Sequence, residues 1–400
     1  MPSQLEASTK SAKKLAVGCG IIIVIILLYG FISPLFRSDP PPCNPYPSTE
    51  ARKYKDLPIL EFESLQLEQE TQPEYKIDTV DQTLPIFHSI LNVYKTKTPR
   101  QSLTAHDEAI ELARSIGFRA DEQNISATEM RWMQDGKTLN VDKLYKTAHL
   151  ETDYSKNQYA TGPHTILSDS NPYISTAQNF LNKTSLLPST EIEDATKTVT
   201  YMKLNDNYEL VKAKSPSDAG FVRVDFFTKL VGTSPIYSSQ CTEAEQTQIE
   251  ENSGEYTKKY EVKTLEPFKS DIFVVLGGTG GFNDLYELRV VSWERESYST
   301  YKLVTTAEAW EKVRAGEGAL RSIYEINSDP FQPDTSLEIE TLLLTDVDII
   351  YYTTEEYIQY LQPVYEFKGI GQIKDSDNLA NFTIYYPAIK QSSESENSTQ

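Results

Sequence analysis

From residue 199 onward, apolar and polar positions alternate in short runs rich in Val, Ile, Tyr, Phe and Thr. Such runs occupy 199–204, 208–213, 221–227, 272–276, 285–293 and 298–304, and again 338–344, 347–352, 362–367 and 382–388. In the last of them Phe382, Ile384 and Tyr386 fall on one side, with Thr383 and Tyr385 on the other. Successive side chains of a strand point to opposite faces, so a period of two predicts strands with one face on a core. A second face left wet argues for antiparallel pairing. The 25 tyrosines suit such half-buried positions, where the ring packs and the hydroxyl meets water.

Three segments follow the helical period instead. Thr104-Ala-His-Asp107 opens a pattern with Ala109, Ile110, Ala113 and Ile116 on one side, closed by Gly117. Thr305-Thr-Ala-Glu308 does the same for Ala309, Trp310 and Val313, closed by Gly316, and Ser175-Thr-Ala-Gln178 starts a shorter version ending at Leu181. A Ser or Thr with an acid or amide three residues on satisfies free amides at a helix start, and glycine supplies the left-handed cap. Few helices among many strands predict an α+β fold of antiparallel sheets, each covered by short helices.

The longest apolar stretch lies near the N-terminus. Residues 15–36 carry no charge and span 22 positions, against roughly 20 needed to cross a bilayer core. Lys10, Lys13 and Lys14 flank its start, whereas Arg37 and Asp39 follow it. The positive-inside rule then places 1–14 in the cytoplasm and the chain from 37 onward outside, with 15–36 as a transmembrane helix. A cleaved signal peptide is the competing reading. It fits less well, because the exit through Gly30, Phe31, Ile32, Ser33 and Pro34 shows no small-residue cleavage pattern. The proline-rich stretch within 37–56 is an extended spacer, since proline fixes φ and removes an amide donor. Residues 57–220 and 221–390 are expected to form two extracytoplasmic domains, and 391–400, without an apolar residue, a disordered tail.

Charge narrows the partners. With 38 basic against 58 acidic residues the chain carries a net charge of −20, which disfavours nucleic acid and anionic headgroups. Cys19 lies in the apolar run, so only Cys43 and Cys241 could meet an oxidising compartment, and their spacing has no disulfide signature. Asn124, Asn182, Asn381 and Asn397 head N-x-[ST] sequons of the number that chance supplies in a chain rich in Ser and Thr.

Catalytic motifs are incomplete. Gly277, Gly278, Gly280 and Gly281 follow an apolar run in the manner of a phosphate-binding loop, but a strand pattern rather than a helix comes next, and no lysine is present. A hairpin turn is the expected structure, and this glycine loop is kept as the one segment of functional interest. His88, His106, His149 and His164 have no second ligand three or four residues away, so no metal is implied. Ser299-Thr-Tyr-Lys302 has a Ser-x-x-Lys spacing without its companion motifs, and Asp346, Asp348, Asp375 and Asp377 lack the rest of a calcium loop. A carboxylate pair of a hydrolase could still be present among the many acids. No cofactor is implied.

From Thr305 a capped helix containing Ala309-Trp-Glu-Lys-Val-Arg-Ala-Gly316 precedes paired strands over 338–352, then Tyr357-Ile-Gln-Tyr-Leu-Gln-Pro-Val-Tyr-Glu-Phe367 and Phe382-Thr-Ile-Tyr-Tyr-Pro-Ala388. This order resembles the C-terminal half of the YycH and YycI type proteins of Gram-positive bacteria. The resemblance implies two PepSY-like modules behind a single transmembrane helix, and a regulatory rather than catalytic role beside a membrane partner such as a sensor kinase. The matching positions are structural, so it transfers no functional residue. The resulting expectation is a non-enzymatic, membrane-anchored extracytoplasmic protein of the bacterial envelope. An envelope hydrolase using Asp or Glu carboxylates and a structural surface protein are the alternatives.

Overall fold

The computed structural model of the chain describes residues 49–69, 71–119, 121–157, 160, 166–233, 258–279 and 281–390. In chain order the first strands are β1 (Glu74–Ile77), β2 (Ile90–Thr96), β3 (Gln123–Asn124), β4 (Glu129–Gln134), β5 (Lys137–Asp142) and β6 (Thr147–Thr152). There follow β7 (Thr196–Leu204), β8 (Leu210–Lys212), β9 (Phe221–Phe227), β10 (Lys229–Val231), β11 (Lys259–Lys263) and β12 (Ile272–Leu276). The last six are β13 (Leu285–Val290), β14 (Arg295–Lys302), β15 (Ala319–Glu325), β16 (Ile339–Tyr352), β17 (Tyr360–Ile373) and β18 (Leu379–Pro387). The helices are α1 (Ala105–Ile116), α2 (Asn171–Thr184), α3 (Ser189–Asp194) and α4 (Thr306–Lys312).

Two nine-stranded sheets result. Sheet A is built on the hairpin of β16 and β17, extended antiparallel through β18 to β15. The outer edge of β16 is shared by two parallel strands, β1 at Thr341 to Leu344 and β11 at Tyr351 and Tyr352. Pro363 sits where β17 changes partner. The ladder to β18 stops at Val364, and β2 pairs instead with Tyr360 and Leu361, so the missing proline amide falls outside both ladders.

On one face of sheet A, α4 inserts Trp310 against Phe367 and Tyr75, with ring centroids 5.5 and 5.8 Å apart. The capping box forms: Thr305 accepts from the Glu308 amide at 3.1 Å, and the Thr305 amide donates to the Glu308 carboxylate at 2.7 Å. The other face buries Ile350, Tyr352, Val364 and Tyr385 beneath Leu60 and Phe62. Those two residues belong to an extended N-terminal strap. The strap donates from Ala51 and Arg52 to the Thr300 carbonyl, from Leu65 to the Leu320 carbonyl and from Glu68 to the Thr335 carbonyl.

Sheet B runs β3-β4-β5-β6-β13-β12-β9-β7-β8 and is antiparallel throughout. Alternation puts Leu150, Leu288, Val274 and Val224 on one face, where they pack with Leu112 of α1, Phe180 of α2 and Ile192 of α3. The alternate positions form a mostly polar row across six strands, Arg131, Asn140, His149, Arg289, Phe273 and Asp225, each the register partner of the next.

The α+β expectation is corrected by this architecture. About 40% of the described residues are strand and 16% helix, and the fold is mostly β. Three helices cover one face of sheet B only; sheet A is closed by α4, the strap and further strands rather than by a helical layer. The sequence pattern also missed every strand before residue 199. In β4 to β6 the alternating partners are polar and the apolar set is mostly Met, Trp, Leu and Ala, while β1 and β3 are too short to show a period. β2 has Ile, Val and Tyr, but Leu91, Asn92 and Val93 are buried in succession, so its run does not alternate. The sheets cross the expected domain boundary at 220/221: β9, β12 and β13 complete the sheet of β3 to β8, while β1 and β2 join the sheet of β14 to β18. The expected transmembrane helix at 15–36 lies outside the described residues, among which no helix is long and apolar enough to cross a membrane.

Two of the three expected helix starts differ in detail. At α1 Thr104 makes no capping bond to the backbone, its hydroxyl donating to Glu108 instead at 2.5 Å. The helix α2 begins at Asn171, four residues before Ser175, because Pro172 is already set for a first turn.

Candidate functional site

The polar face of sheet B meets three connections at the ends of sheet A strands. They are the link from β11 to β12, the segment after β15, and the turn between β16 and β17. Together they enclose a cleft of about 530 Å³. From sheet B come Arg223, Phe273, Glu287 and Arg289. Lys269 and Asp271 come from the first connection, Asp329 and Phe331 from the second, and Glu355 from the third.

Period-two alternation explains the sheet B contribution. In Phe221-Val-Arg-Val-Asp-Phe-Phe227 the face opposite Val222 and Val224 carries Arg223 and Asp225, and in β13 the face opposite Leu288 carries Glu287 and Arg289. Arg223 and Asp225 form a two-point ion pair, with Nε to Oδ2 at 2.8 Å and Nη2 to Oδ1 at 2.7 Å. The guanidinium lies 3.6 Å from the Phe273 ring centroid, and the Ser270 amide donates to Asp225 Oδ1 at 2.9 Å. Asp225 is fully buried and saturated; Arg223 forms part of the cleft wall with its charge already matched.

Arg289 is divided between two carboxylates. Its Nη2 lies 2.6 Å from Glu355 Oε1, whereas Nε is 3.5 Å from Asp271 Oδ1 without hydrogen-bond geometry. Asp271 Oδ2 is buried and has no hydrogen-bond partner. Burial pushes the Asp271 carboxyl up to about 6; Arg289 opposes the shift, and Glu355 and Glu266 add to it. Glu287 accepts a hydrogen bond from the Tyr154 hydroxyl at 2.9 Å, and burial raises its carboxyl above the ordinary range despite that bond and Arg223. His149, opposite Arg289 in the ladder, is pushed down by burial.

The raised Asp271 carboxyl makes a stability prediction. A carboxyl whose folded pKa exceeds its unfolded value contributes fully below the unfolded pKa, near 4, and loses that contribution as pH rises through about 6. Asp271→Asn should therefore match the parent in urea denaturation near pH 4 and exceed it by about 1–3 kcal/mol at pH 8. A variant less stable than the parent at pH 8 would show that the Arg289 contact outweighs desolvation.

The glycine loop lies elsewhere on sheet B. It joins the antiparallel strands β12 and β13, and Gly277, Gly278 and Gly281 are described whereas Gly280 lies outside the described residues. A short 3₁₀ turn, Phe282–Asp284, precedes β13; the Gly277 amide donates to the Asp284 carbonyl at 2.9 Å, and a Cβ on Gly278 would meet the Asp284 carboxylate at 2.7 Å. Lys137, almost fully buried, donates from Nζ to the Phe282 carbonyl at 2.6 Å, and burial lowers its ammonium to about 8.

Other candidate residues are dispersed. His106 lies 4.0 Å from Glu122 and His149 3.3 Å from Glu151, while His164, Cys43, Cys241 and Asn397 lie outside the described residues. Among the described residues no three His, Cys, Asp or Glu side chains are grouped as metal ligands. Ser299 and Lys302, three apart on β14, point to opposite faces, and the Ser299 hydroxyl accepts from the Lys53 amide. Asp346 and Asp348 both bind Lys368, at 2.9 and 2.7 Å. No protein-family model matches the chain, and no curated protein matches it.

Proposed function

We propose that the chain is a non-enzymatic extracytoplasmic binding or regulatory protein, held to the membrane by residues 15–36, whose ligand site is the 530 Å³ cleft. The observation that carries this reading is the construction of the cleft: charged side chains of a rigid sheet on one wall and loops of the other sheet on the opposite one. A ligand there touches both sheets at once, which is how occupancy can be passed to a membrane partner such as a sensor kinase. The uncharged run and its lysine flank support the anchor, and the YycH and YycI resemblance supports the regulatory role.

A second reading, an envelope hydrolase, draws on the raised carboxyls of Asp271 and Glu287 in one cleft. One experiment separates the two. Detergent-solubilised full chain is incubated with small peptides and sugars extracted from bacterial envelopes, and bound and released species are weighed by mass spectrometry. Release of the bound species unchanged, and its loss when the cleft is filled by Leu210→Trp, is the expected result. Release of two fragments whose masses sum to that of the parent plus one water would establish the hydrolase.

A further inference from the structure

We infer that the cleft takes an organic cation, a protonated amine or guanidinium on a polar chain, directed at Asp271 and Glu287. The inference rests on the cleft being the ligand site. Three bases, Arg223, Lys269 and Arg289, share the lining with five acids, Glu266, Asp271, Glu287, Asp329 and Glu355. The bases are already taken: Arg223 by Asp225 from behind the wall, Lys269 by Glu266 at 3.2 Å, Arg289 by Glu355. An arriving anion would have to displace a carboxylate from one of them.

The acids retain capacity. Asp271 Oδ2 has no partner, and Glu287 is bound through Oε1 to a neutral phenol. A ligand N–H donor supplies what both lack, together with the compensating positive charge. The aliphatic stem of such a ligand can lie on Phe331, Met202 and Leu210, which also line the cleft. An organic cation fits better than a bare metal ion, since the described residues offer no cluster of three metal ligands.

Binding of this kind follows the ionisation of Asp271, which burial opposes most, Glu355 and Glu266 oppose further, and Arg289 and Arg223 promote. The nearby Tyr352 phenol, itself pushed up mainly by burial, stays neutral in this range. The test is titration calorimetry of the full chain in detergent with three blocked tripeptides, acetyl-Ala-Lys-Ala-amide, its Nε-acetylated form, and acetyl-Ala-Glu-Ala-amide. The lysine peptide should bind roughly tenfold more tightly at pH 7 than at pH 5, from the fraction of Asp271 ionised at each pH. Acetylation of its amine, Asp271→Asn and Glu287→Gln should each weaken it at least about tenfold. Both variants are near-isosteric, and unchanged circular dichroism certifies their folding. Tighter binding of the glutamate peptide, lost on Arg289→Gln, would overturn the cation and keep the cleft as the site. Lysine-peptide binding indifferent to both variants would overturn the cation and the site together, and failure of all three peptides to bind would overturn the inference.

Discussion

Asp225→Ala lowers the stability of the fold by about 3–5 kcal/mol, the cost of leaving one member of a buried ion pair alone. Asp225 is inaccessible and Arg223 is 9% exposed, so water cannot replace the lost carboxylate. Two guanidinium hydrogen bonds disappear, as does the acceptor of the Ser270 amide. That amide belongs to the residue immediately before Asp271, at the end of the connection from β11 to β12, so local damage reaches the cleft as well. Urea denaturation followed by circular dichroism measures the effect. Adding Arg223→Met should restore much of the loss, because the pair as a unit contributes little beyond an apolar pair of similar volume. A loss below about 1 kcal/mol for Asp225→Ala alone would mean that Arg223 finds another partner, for which Glu287 is the nearest candidate in register.

Trp310→Ala should cost a similar amount, about 3–5 kcal/mol, through the cavity left by the largest side chain of α4. Trp310 is 2% exposed and lies between Tyr75 of β1 and Phe367 of β17, with Ala309 and Val313 beside it. Because α4 is only seven residues long, its position depends on this anchor and on the Thr305 capping box more than on its own helical propensity. The four-residue strand β1 has little else on its inner face. Hydrogen exchange should therefore show lost protection at Glu74–Ile77 before any change in β17, and uniform loss across sheet A would contradict this order.

Local elements in the second half of the chain were legible because their chemistry is local. Every alternating run from 199 to 388 falls within or overlaps a strand, and the Thr305 to Glu308 spacing marks a formed capping box. But 338–344 and 347–352, expected as two paired strands, are one continuous strand, β16, whose partner is β17. Partnership between strands was not. β6 pairs with β13, and β1 with β16, across more than a hundred intervening residues, and no turn or spacing announces such pairs. The cleft shares this property, since Arg223, Asp271, Asp329 and Glu355 sit on four separate elements. A signal was nonetheless present. Arg223 with Asp225, and Glu287 with Arg289, are charges two apart inside otherwise apolar runs, and period two puts each pair on one face. Asp346 and Asp348 show the converse: they resemble calcium ligands in sequence, yet the β16–β17 register gives both to Lys368, twenty-two and twenty residues on.

The strap gives sheet A a mechanical reading. A pull transmitted along the chain from the N-terminal side meets isolated fastenings in turn, first at Thr300, next at Leu320, then at Thr335. Only after these does it reach a continuous ladder, where β1 lies parallel to β16 and resists in shear. Tension would thus release the strap stepwise while the ladder holds, uncovering Ile350, Tyr352, Val364 and Tyr385 beneath Leu60 and Phe62. The strap is thus also a cover over an apolar surface, and whatever loosens it would set how much of that surface other molecules can meet.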